Sequence, residues 1–568
     1  FLGSYFLDVT FPIKGLTFRS NLGIDARTQQ DYEFYSAATT ERQFGSSYAK
    51  SSMTKYSMFT WENFFTYKRD FGTKHSLGVT LLQSVQQDLR ESLNASAEDI
   101  SADVLKYYDL GAGSIIDGIG SGYRKWTMAS FMGRVNYNYL GRYLLTVSAR
   151  YDGSSRLADG HKWVLFPSAA LAWRISDEKF MKNIKWLDNL KLRVGYGKTG
   201  NSSVDPYQTR GTLSKVYYVY NNGKDEVLGY APKKMANKLL TWETTEQYNL
   251  GLDFGFLKNR IYGSIDLYLQ KTYDLLLERQ LPVVSGFSNI VSNIGRTQNK
   301  GIEISLNTRN VVTKNFEWTT DLTFTAGREE IVELYNGKVD DIGNSWFIGE
   351  ALGVYYDYKK IGIWQDSPED LAEIEKYNKN GHKFAPGMIK LLDIDGDHKI
   401  TADNDRMILG QKRPKHIFNL SNTFVYKGFD LNIVLYGTLG GMLRNAVRVN
   451  HQSYRNNSVK FDYWTPENPD ARYRQLGFYT NSLGSGFSPY ISRSFVRLQE
   501  LSLAYNLPKK FLSKIHVNRA KVFISASNLF TITGWDGWDP EAGQGISYDL
   551  DGGYPTMKSY TLGLNFEF

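Results

Sequence analysis

The chain has 568 residues, with 39 Tyr, 32 Phe and 12 Trp, too many rings for a disordered or merely solvated protein. Yet its mean hydropathy is only −0.40, and no run approaches the roughly 18 apolar residues that a membrane-spanning helix needs. The absence of cysteine excludes a disulfide scaffold, and a net charge of +8 spread along the chain lacks the dense basic face that nucleic-acid binding requires.

Aromatic richness with modest hydropathy fits a transmembrane antiparallel β-barrel, where apolar residues take alternate positions and aromatic girdles mark both interfaces. In chain order, about 17 strands are predicted, at residues 1–11, 15–28, 56–68, 73–85, 127–139, 142–151, 163–174, 188–198, 245–255, 259–271, 297–308, 316–327, 415–426, 429–437, 495–505, 521–531 and 558–568. The period of two is plain in Leu190, Leu192, Val194 and Tyr196, which alternate with Lys191, Arg193 and Gly195. Tyr248, Leu250, Leu252 and Phe254 repeat it, as do Ile302, Ile304 and Leu306, and Phe429, Leu431, Ile433 and Leu435. The last strand is the clearest: Tyr560, Leu562, Leu564, Phe566 and Phe568 share one face, and Ser559, Thr561, Gly563, Asn565 and Glu567 the other. So many polar residues on one side of each strand suit a barrel lumen and not the core of a sandwich.

The connections are of two kinds. Leu140-Gly141, Leu257-Lys258-Asn259 and Lys427-Gly428 are tight turns, whereas 30–55, 86–126, 199–244, 272–296, 335–414, 438–494 and 532–557 are long and rich in Gly, Asn, Ser and Asp. Short periplasmic turns and long extracellular loops are the two ends of an outer-membrane barrel. With the last strand descending to the periplasm, an odd strand count makes the first strand descend too. Single-chain bacterial barrels have an even number of strands. Residues 1–568 are therefore expected to be the C-terminal part of a longer barrel protein, with a signal peptide and the first strands upstream.

Family motifs lie along this frame. Arg150-Tyr151-Asp152-Gly153-Ser154-Ser155-Arg156, then Lys162-Trp163, Phe166-Pro167-Ser168 and Ala172-Trp173-Arg174, resemble the SusC/RagA family of TonB-dependent outer-membrane transporters of Bacteroidetes. Leu192 to Asn201, Leu240 to Thr244, Asn299-Lys300-Gly301-Ile302-Glu303, Gly362-Ile363-Trp364-Gln365, Asp393 to Gly410, Phe495-Val496-Arg497-Leu498 and Ser527-Asn528-Leu529-Phe530 continue the resemblance in order, from about residue 56 to the end. The resemblance implies a barrel of about 22 strands around an N-terminal plug that lies outside this chain. It also implies TonB-energised import of oligosaccharides or peptides too large for porins, with a SusD-like surface lipoprotein as lid. The resemblance further implies lipopolysaccharide around the barrel and an association of two transporter–lipoprotein pairs. A passive porin or an adhesin is the alternative.

The best local chemistry is Asp393-Ile394-Asp395-Gly396-Asp397-His398-Lys399-Ile400-Thr401, inside the 335–414 loop. Carboxylates at loop positions 1, 3 and 5, the carbonyl of Lys399 at 7 and the hydroxyl of Thr401 at 9 follow an EF-hand-type or dockerin-type calcium loop, with Asp405, or Asp403 or Asn404 beside it, as a later oxygen donor. Two residues depart from it: His398 stands where Gly makes the sharp turn, and Asn404 stands at position 12. The other reading of 393–405 is an acidic surface turn held by Asp-to-backbone bonds. Trp346, Trp364, Trp535 and Trp538 fall in predicted extracellular loops, where their rings would either stack on sugars or anchor and pack the loops. No catalytic set emerges. Gly197-Lys198-Thr199 lacks the first glycine of a phosphate loop, and the seven histidines form no metal spacing.

Overall fold

The computed structural model describes residues 1–42, 45–223, 225–444, 462–475, 490–513, 516–535, 539–541 and 556–567. Among these, seventeen long strands are assigned to one antiparallel sheet, at the positions the alternation predicts. The chain divides into two compact units, residues 1–179, 191–250 and 270–297 against residues 180–190, 251–269 and 298–568.

The first unit is built on β1 (Leu2–Thr10), β2 (Leu16–Tyr35), β3 (Tyr48–Phe71), β4 (His75–Ile100), β5 (Gly113–Tyr139), β6 (Tyr143–Ser154), β7 (Trp163–Arg174) and β8 (Leu187–Asn201), each hydrogen-bonded to the next. β9 (Glu243–Phe256), β10 (Ile261–Tyr273) and β11 (Arg296–Val312) follow, each with residues in both units. The second unit carries β12 (Phe316–Glu333), β13 (His416–Tyr426), β14 (Phe429–Leu439), β15 (Phe495–Asn506), β16 (Arg519–Thr533) and β17 (Ser559–Glu567), again a meander.

Register turns the sequence period into two chemically distinct faces. In the second unit the cross-strand row Phe424–Leu431–Leu503–Ile524–Leu562 is wholly apolar. One residue along, the row Thr423–Asn432–Ser502–Ser525–Thr561 is wholly polar. In the first unit the row Tyr67–Val79–Val135–Val147–Ala169–Tyr196 lies beside Thr66–Thr80–Arg134–Ser148–Ser168–Gly197. Side chains on the polar face satisfy one another: Ser148 and Ser168 hydroxyls lie 2.7 Å apart, and Arg150 reaches Asp152 at 2.7 Å and Ser130 at 2.9 Å. The apolar face is open, with Phe131, Leu165 and Leu171 all about half exposed. Such a face in water would be an aggregation hazard, and in lipid it is solvated.

Stacked aromatics bracket that face at two levels. Tyr139, Tyr143 and Trp173 stack beside the short turns. Phe131, Tyr151 and Trp163 stack eight residues further along β6, about 26 Å at 3.3 Å per residue, which is the scale of an outer-membrane apolar band.

The tight turns are of the type that follows strand twist. Leu140 and Gly141 have φ of +57° and +70°, and Lys427 and Gly428 +47° and +91°, both positive as a type I′ turn requires. At the β1–β2 turn, Gly15 combines a φ of +88° with a packing demand, since a Cβ there would sit 1.9 Å from the Lys68 carbonyl oxygen.

Two expected loops are mostly strand. Residues 30–55 and 86–126 continue β2 to β5, with β4 and β5 reaching 26 and 27 residues. Their ladders run unbroken past Asp31↔Ser52 and Glu91↔Tyr123. The reason is environmental. Outside the apolar band neither face meets lipid, so Ser, Thr, Asn and Glu serve on both, and the apolar alternation stops before the hydrogen bonding does. Beyond the Phe131 level, which pairs with Gln83, β4 runs on to Ile100, roughly 55 Å of further strand at 3.3 Å per residue. Its far end is closed by Ala49, Ala97 and Ile100 with Leu105 and Leu110, and by an Arg42–Glu98 ion pair at 2.5 Å. The 199–244 and 272–296 connections carry hairpins of their own, Thr212–Tyr220 with Asp225–Lys234 and Leu276–Gln280 with Asn289–Asn293.

Several strand glycines sit under aromatic rings. A Cβ on Gly437 would lie 2.5 Å from the Phe418 ring and 3.0 Å from the Phe495 carbonyl. The prediction is that Gly437→Ala lowers stability by about 1–3 kcal/mol through overpacking. The readout is the temperature at which the compact band of a heat-modifiable gel shift is lost. Adding Phe418→Leu should restore part of the loss; a wild-type melting point for Gly437→Ala alone would contradict the packing argument.

Candidate functional site

The 335–414 connection is a folded lobe. A helix, α1 (Pro368–Lys379), starts at a well-signalled cap: Ser367 Oγ accepts from the Asp370 N–H at 3.2 Å, Pro368 opens the first turn, Glu369 and Asp370 face the positive dipole end, and Lys376 and Lys379 the negative end. Sequence reasoning passed over this helix, although Ser-Pro-Glu-Asp ahead of Leu371, Ile374 and Tyr377 is its signature. Two small ladders flank it, Val354–Tyr358 with Arg406–Gln411 and Lys360–Ile363 with Ile389–Leu391.

Between these elements Trp364, Ile374, Tyr377, Phe384, Met388, Ile389, Leu391 and Ile400 form a core. Trp364 is 1% exposed, with the Lys390 ammonium 4.1 Å over its ring. Neither face is open to a sugar, so its part here is packing. Trp535, at 6% exposed, is likewise enclosed, by Leu443 and Ile491. Trp346 is half-buried and exchanges backbone hydrogen bonds with Asp341 at 2.8 and 2.9 Å. Trp538 lies outside the described residues.

The acidic loop is tied to this core. Tyr377 donates from its hydroxyl to Asp393 Oδ2 at 3.1 Å. Burial, and then the adjoining Asp393 charge, push the Tyr377 phenol well above its ordinary range, so it stays a donor. Asp393 also accepts from the Gly396 and His398 N–H groups at 2.7 and 2.9 Å. Partial burial works against its charge, yet these donors outweigh it and hold the carboxyl below the ordinary value. His398 adopts a φ of +58°, the left-handed turn for which the sequence pattern wants glycine.

One carboxylate oxygen each from Asp393, Asp395 and Asp405 lies within 4.8 Å of the others. That spacing suits a cation bound at 2.3–2.6 Å. Asp405 is fully buried and accepts from the Ile394 and Thr401 N–H groups at 2.8 and 2.7 Å. Of the remaining residues of the expected set, Thr401 keeps its hydroxyl 3.5 Å from Asp405 Oδ2, and all are engaged in the turn's own hydrogen bonds. Asp397 caps the Lys399 N–H at 2.7 Å, the Thr401 hydroxyl accepts from the Asn404 N–H at 3.2 Å, and Asn404 donates to Asp395 at 2.7 Å. The three converging carboxylates could hold a cation, and backbone N–H groups already share them as the turn reading requires.

A second anchor holds the start of the last long connection. Arg497, 3% exposed on β15, pairs with Asp539 at 2.8 Å and with Glu541, and donates to Thr531 Oγ1 at 2.9 Å. Arg493 donates to the Pro540 carbonyl at 3.0 Å. Buried charges of this kind persist only when fully partnered.

Besides Asp393, whose carboxyl is held low, two further groups make the lobe acid-sensitive, and Glu373 on α1 is lowered by its hydrogen bond to Lys376 as well. Burial pushes the His382 imidazole below its ordinary value, and its Nε2 accepts the Ile400 N–H at 3.0 Å, a bond that only the uncharged ring can make. Asp370 is also held low: burial opposes its charge, but the Lys390 ammonium and the Gln365 N–H, each at 2.8 Å, prevail. A depressed folded-state value means that the contribution is complete above the unfolded value and fades as pH falls. The His382 part should fade from about pH 6.5 downward and the Asp370 part below about pH 4. Hydrogen exchange of α1, corrected for intrinsic rates, should therefore lose protection in two stages. His382→Gln, a neutral acceptor, should remove the first stage; unchanged protection from pH 7 to 3.5 would refute the scheme.

A family model for the TonB dependent receptor-like β-barrel matches residues 5–529. A TonB-dependent receptor of Formosa agariphila, P3, is 32% identical over 98% of this chain and 57% of its own length. The TonB-dependent receptor SusC of Bacteroides thetaiotaomicron is 31% identical over 78% of this chain and 44% of its own. The RagAB peptide importer in its open-open state superposes with a TM-score of 0.83 at 24% identity, covering 100% of this chain and 60% of that one, which establishes a shared fold. This chain thus spans between 44% and 60% of the length of these relatives.

Proposed function

The chain belongs to the TonB-dependent receptor β-barrel family, and on that premise we propose that it forms the larger part of the barrel wall of a SusC/RagA-type importer in the outer membrane. The cargo is an oligomer, glycan or peptide, too large for a passive pore. Energy arrives from the TonB complex through a segment upstream of residue 1. A SusD-like lipoprotein closes the extracellular end, and such pairs associate in twos. The carrying observation is the 31% identity with SusC over 78% of the chain. The polar inner row and the folded extracellular lobe agree with it, because an importer needs a wetted lumen and a rigid rim for a lid to meet. No bond of the cargo is made or broken, and the matched relatives are TonB-dependent receptors by name.

Mass spectrometry of what co-purifies with the full-length protein from mildly solubilised outer membranes tests this reading. A stoichiometric surface lipoprotein and a retained glycan or peptide are the expected outcome. A barrel that purifies alone and passes small solutes without TonB would replace the importer with a porin, and one that binds cells through its rim would replace it with an adhesin.

Calcium at Asp393, Asp395 and Asp405 belongs to the same proposal, supported by their shared 4.8 Å. An ion there would stiffen the lobe and take no part in chemistry. Raising calcium after chelation should increase exchange protection across residues 389–406, by about 2.7 kcal/mol at a hundredfold excess over the dissociation constant. Asp395→Asn should weaken this response at least tenfold, and magnesium should not replace calcium. Equal protection with chelator and with calcium would leave only the acidic turn.

A further inference from the structure

The first unit holds a cavity of about 800 Å³ where β6 parts from β5. The last pair between these strands is Met128↔Ser154, and β5 continues alone along that edge. Other groups satisfy the exposed edge. The Thr127 N–H donates to Ser155 Oγ at 2.8 Å, and the Lys125 N–H donates to the Tyr207 hydroxyl at 3.2 Å. Tyr207 is placed for this by a φ of +73°, a conformation that a bulky residue adopts only under constraint. Leu157 and Ala158, 1% and 2% exposed, give the cavity a firm wall backed by Leu240 and Trp242.

The lining is unbalanced in charge. Lys125, Lys162, Arg210 and Lys238 face a single carboxylate, Asp159, which is paired with Lys162 at 2.5 Å. Three more cations therefore lack a lining counter-charge. Among the described residues the nearby Arg124 is already paired, with Asp205 at 3.0 Å. Rings alternate with the cations. Tyr123 is more than half exposed, Tyr207 sits opposite on its loop, and the Trp126 ring carries the Arg156 guanidinium 4.1 Å over it. The Arg156 Nε is buried without a hydrogen-bond partner.

We propose that this cavity binds a saccharide bearing oxyanions, its sugar rings against Tyr123, Trp126 and Tyr207 and its carboxylate, sulfate or phosphate groups on Lys125, Arg210 and Lys238. Ring faces suit the apolar faces of sugars, and clustered cations select the charged ones. The volume falls within the range of small-molecule sites. The ligand has two sources, a soluble anionic glycan on its way to the lumen or the phosphorylated sugars of surrounding lipopolysaccharide. The inference rests on the importer reading only for placing this end of the barrel outside the cell.

The test measures binding of labelled dextran sulfate to the full-length protein in phospholipid nanodiscs. Wild type should bind it with an affinity that falls as salt rises, and neutral dextran should not bind. The triple variant K125Q/R210Q/K238Q should bind at least tenfold more weakly with an unchanged melting temperature. If that variant does not fold, K125Q and K238Q singly should each cost a few-fold, and K238R should restore binding. Nanodiscs containing lipopolysaccharide separate the sources: lost dextran sulfate binding, with lipid phosphate retained by wild type and not by the variant, identifies the headgroup, whereas undiminished binding identifies the soluble glycan. Wild-type affinity in all cation variants, or equal binding of polyglutamate and dextran sulfate, would overturn the proposal. Because the readout is binding, it can fail while import succeeds, and the reverse.

Discussion

The structure depends on one constraint, that a backbone crossing lipid must satisfy every N–H and C=O from within the protein. An antiparallel ladder does this while leaving each strand two faces of opposite chemistry. The paired rows in the second unit, Phe424 to Leu562 and Thr423 to Thr561, are one residue apart and differ completely in polarity. A slip of one residue would exchange them, so register here is fixed by solvent as much as by hydrogen bonding. The glycines beside Phe418, Phe523 and Tyr268 make the same point at the level of packing, since a Cβ on any of them would collide with the ring or its hydroxyl.

Where the lipid ends, the ladder no longer sorts side chains, and each excursion of the chain needs an interior of its own. The structure supplies several small ones. Trp364 centres the lobe around α1, Trp242 packs with Leu157, Phe166 and Leu240, and Trp535 with Leu443 and Ile491. Indole suits this use, because a single side chain buries much apolar area and orders few torsions. Charge is handled in the same local way. Arg497 is enclosed only because Asp539, Glu541 and Thr531 accept all round it.

Legibility in the sequence followed these two regimes. Strands crossing the band announced themselves, since lipid on one face imposes a period of two, as in Leu190 to Tyr196. The extensions of β2 to β5 did not, because water accepts Glu91 and Asn94, exposed on opposite faces of β4, and leaves no alternation to read. The buried state of Trp364 and Trp535 was hidden for a related reason: an aromatic alone in a long connection has no periodic companions to mark its surroundings. The acidic loop was legible as a spacing, but not in which carboxylates converge. Asp405 reaches the group because its buried side chain folds back onto the Ile394 and Thr401 N–H groups, a closure that a linear motif cannot express. The cavity beside β5 has no linear signature at all, since Lys125, Arg210 and Lys238 come from three separate segments.

The long β2–β5 ladders, interrupted by one register shift between Ser96 and Ala97, carry a mechanical consequence. A flexible loop of similar length would occupy a broad cloud above the membrane, with its tip often folded down. A hydrogen-bonded hairpin running roughly 55 Å past the upper aromatic level holds its tip at one height. Outer membranes of this kind carry a crowded layer of sugar chains, and a soluble macromolecule meets that layer before it meets any pore. A stalk of fixed length sets a stand-off distance for the Ala97–Leu110 cap at its end, and the density of the surrounding sugar coat becomes a variable in how fast that cap is reached.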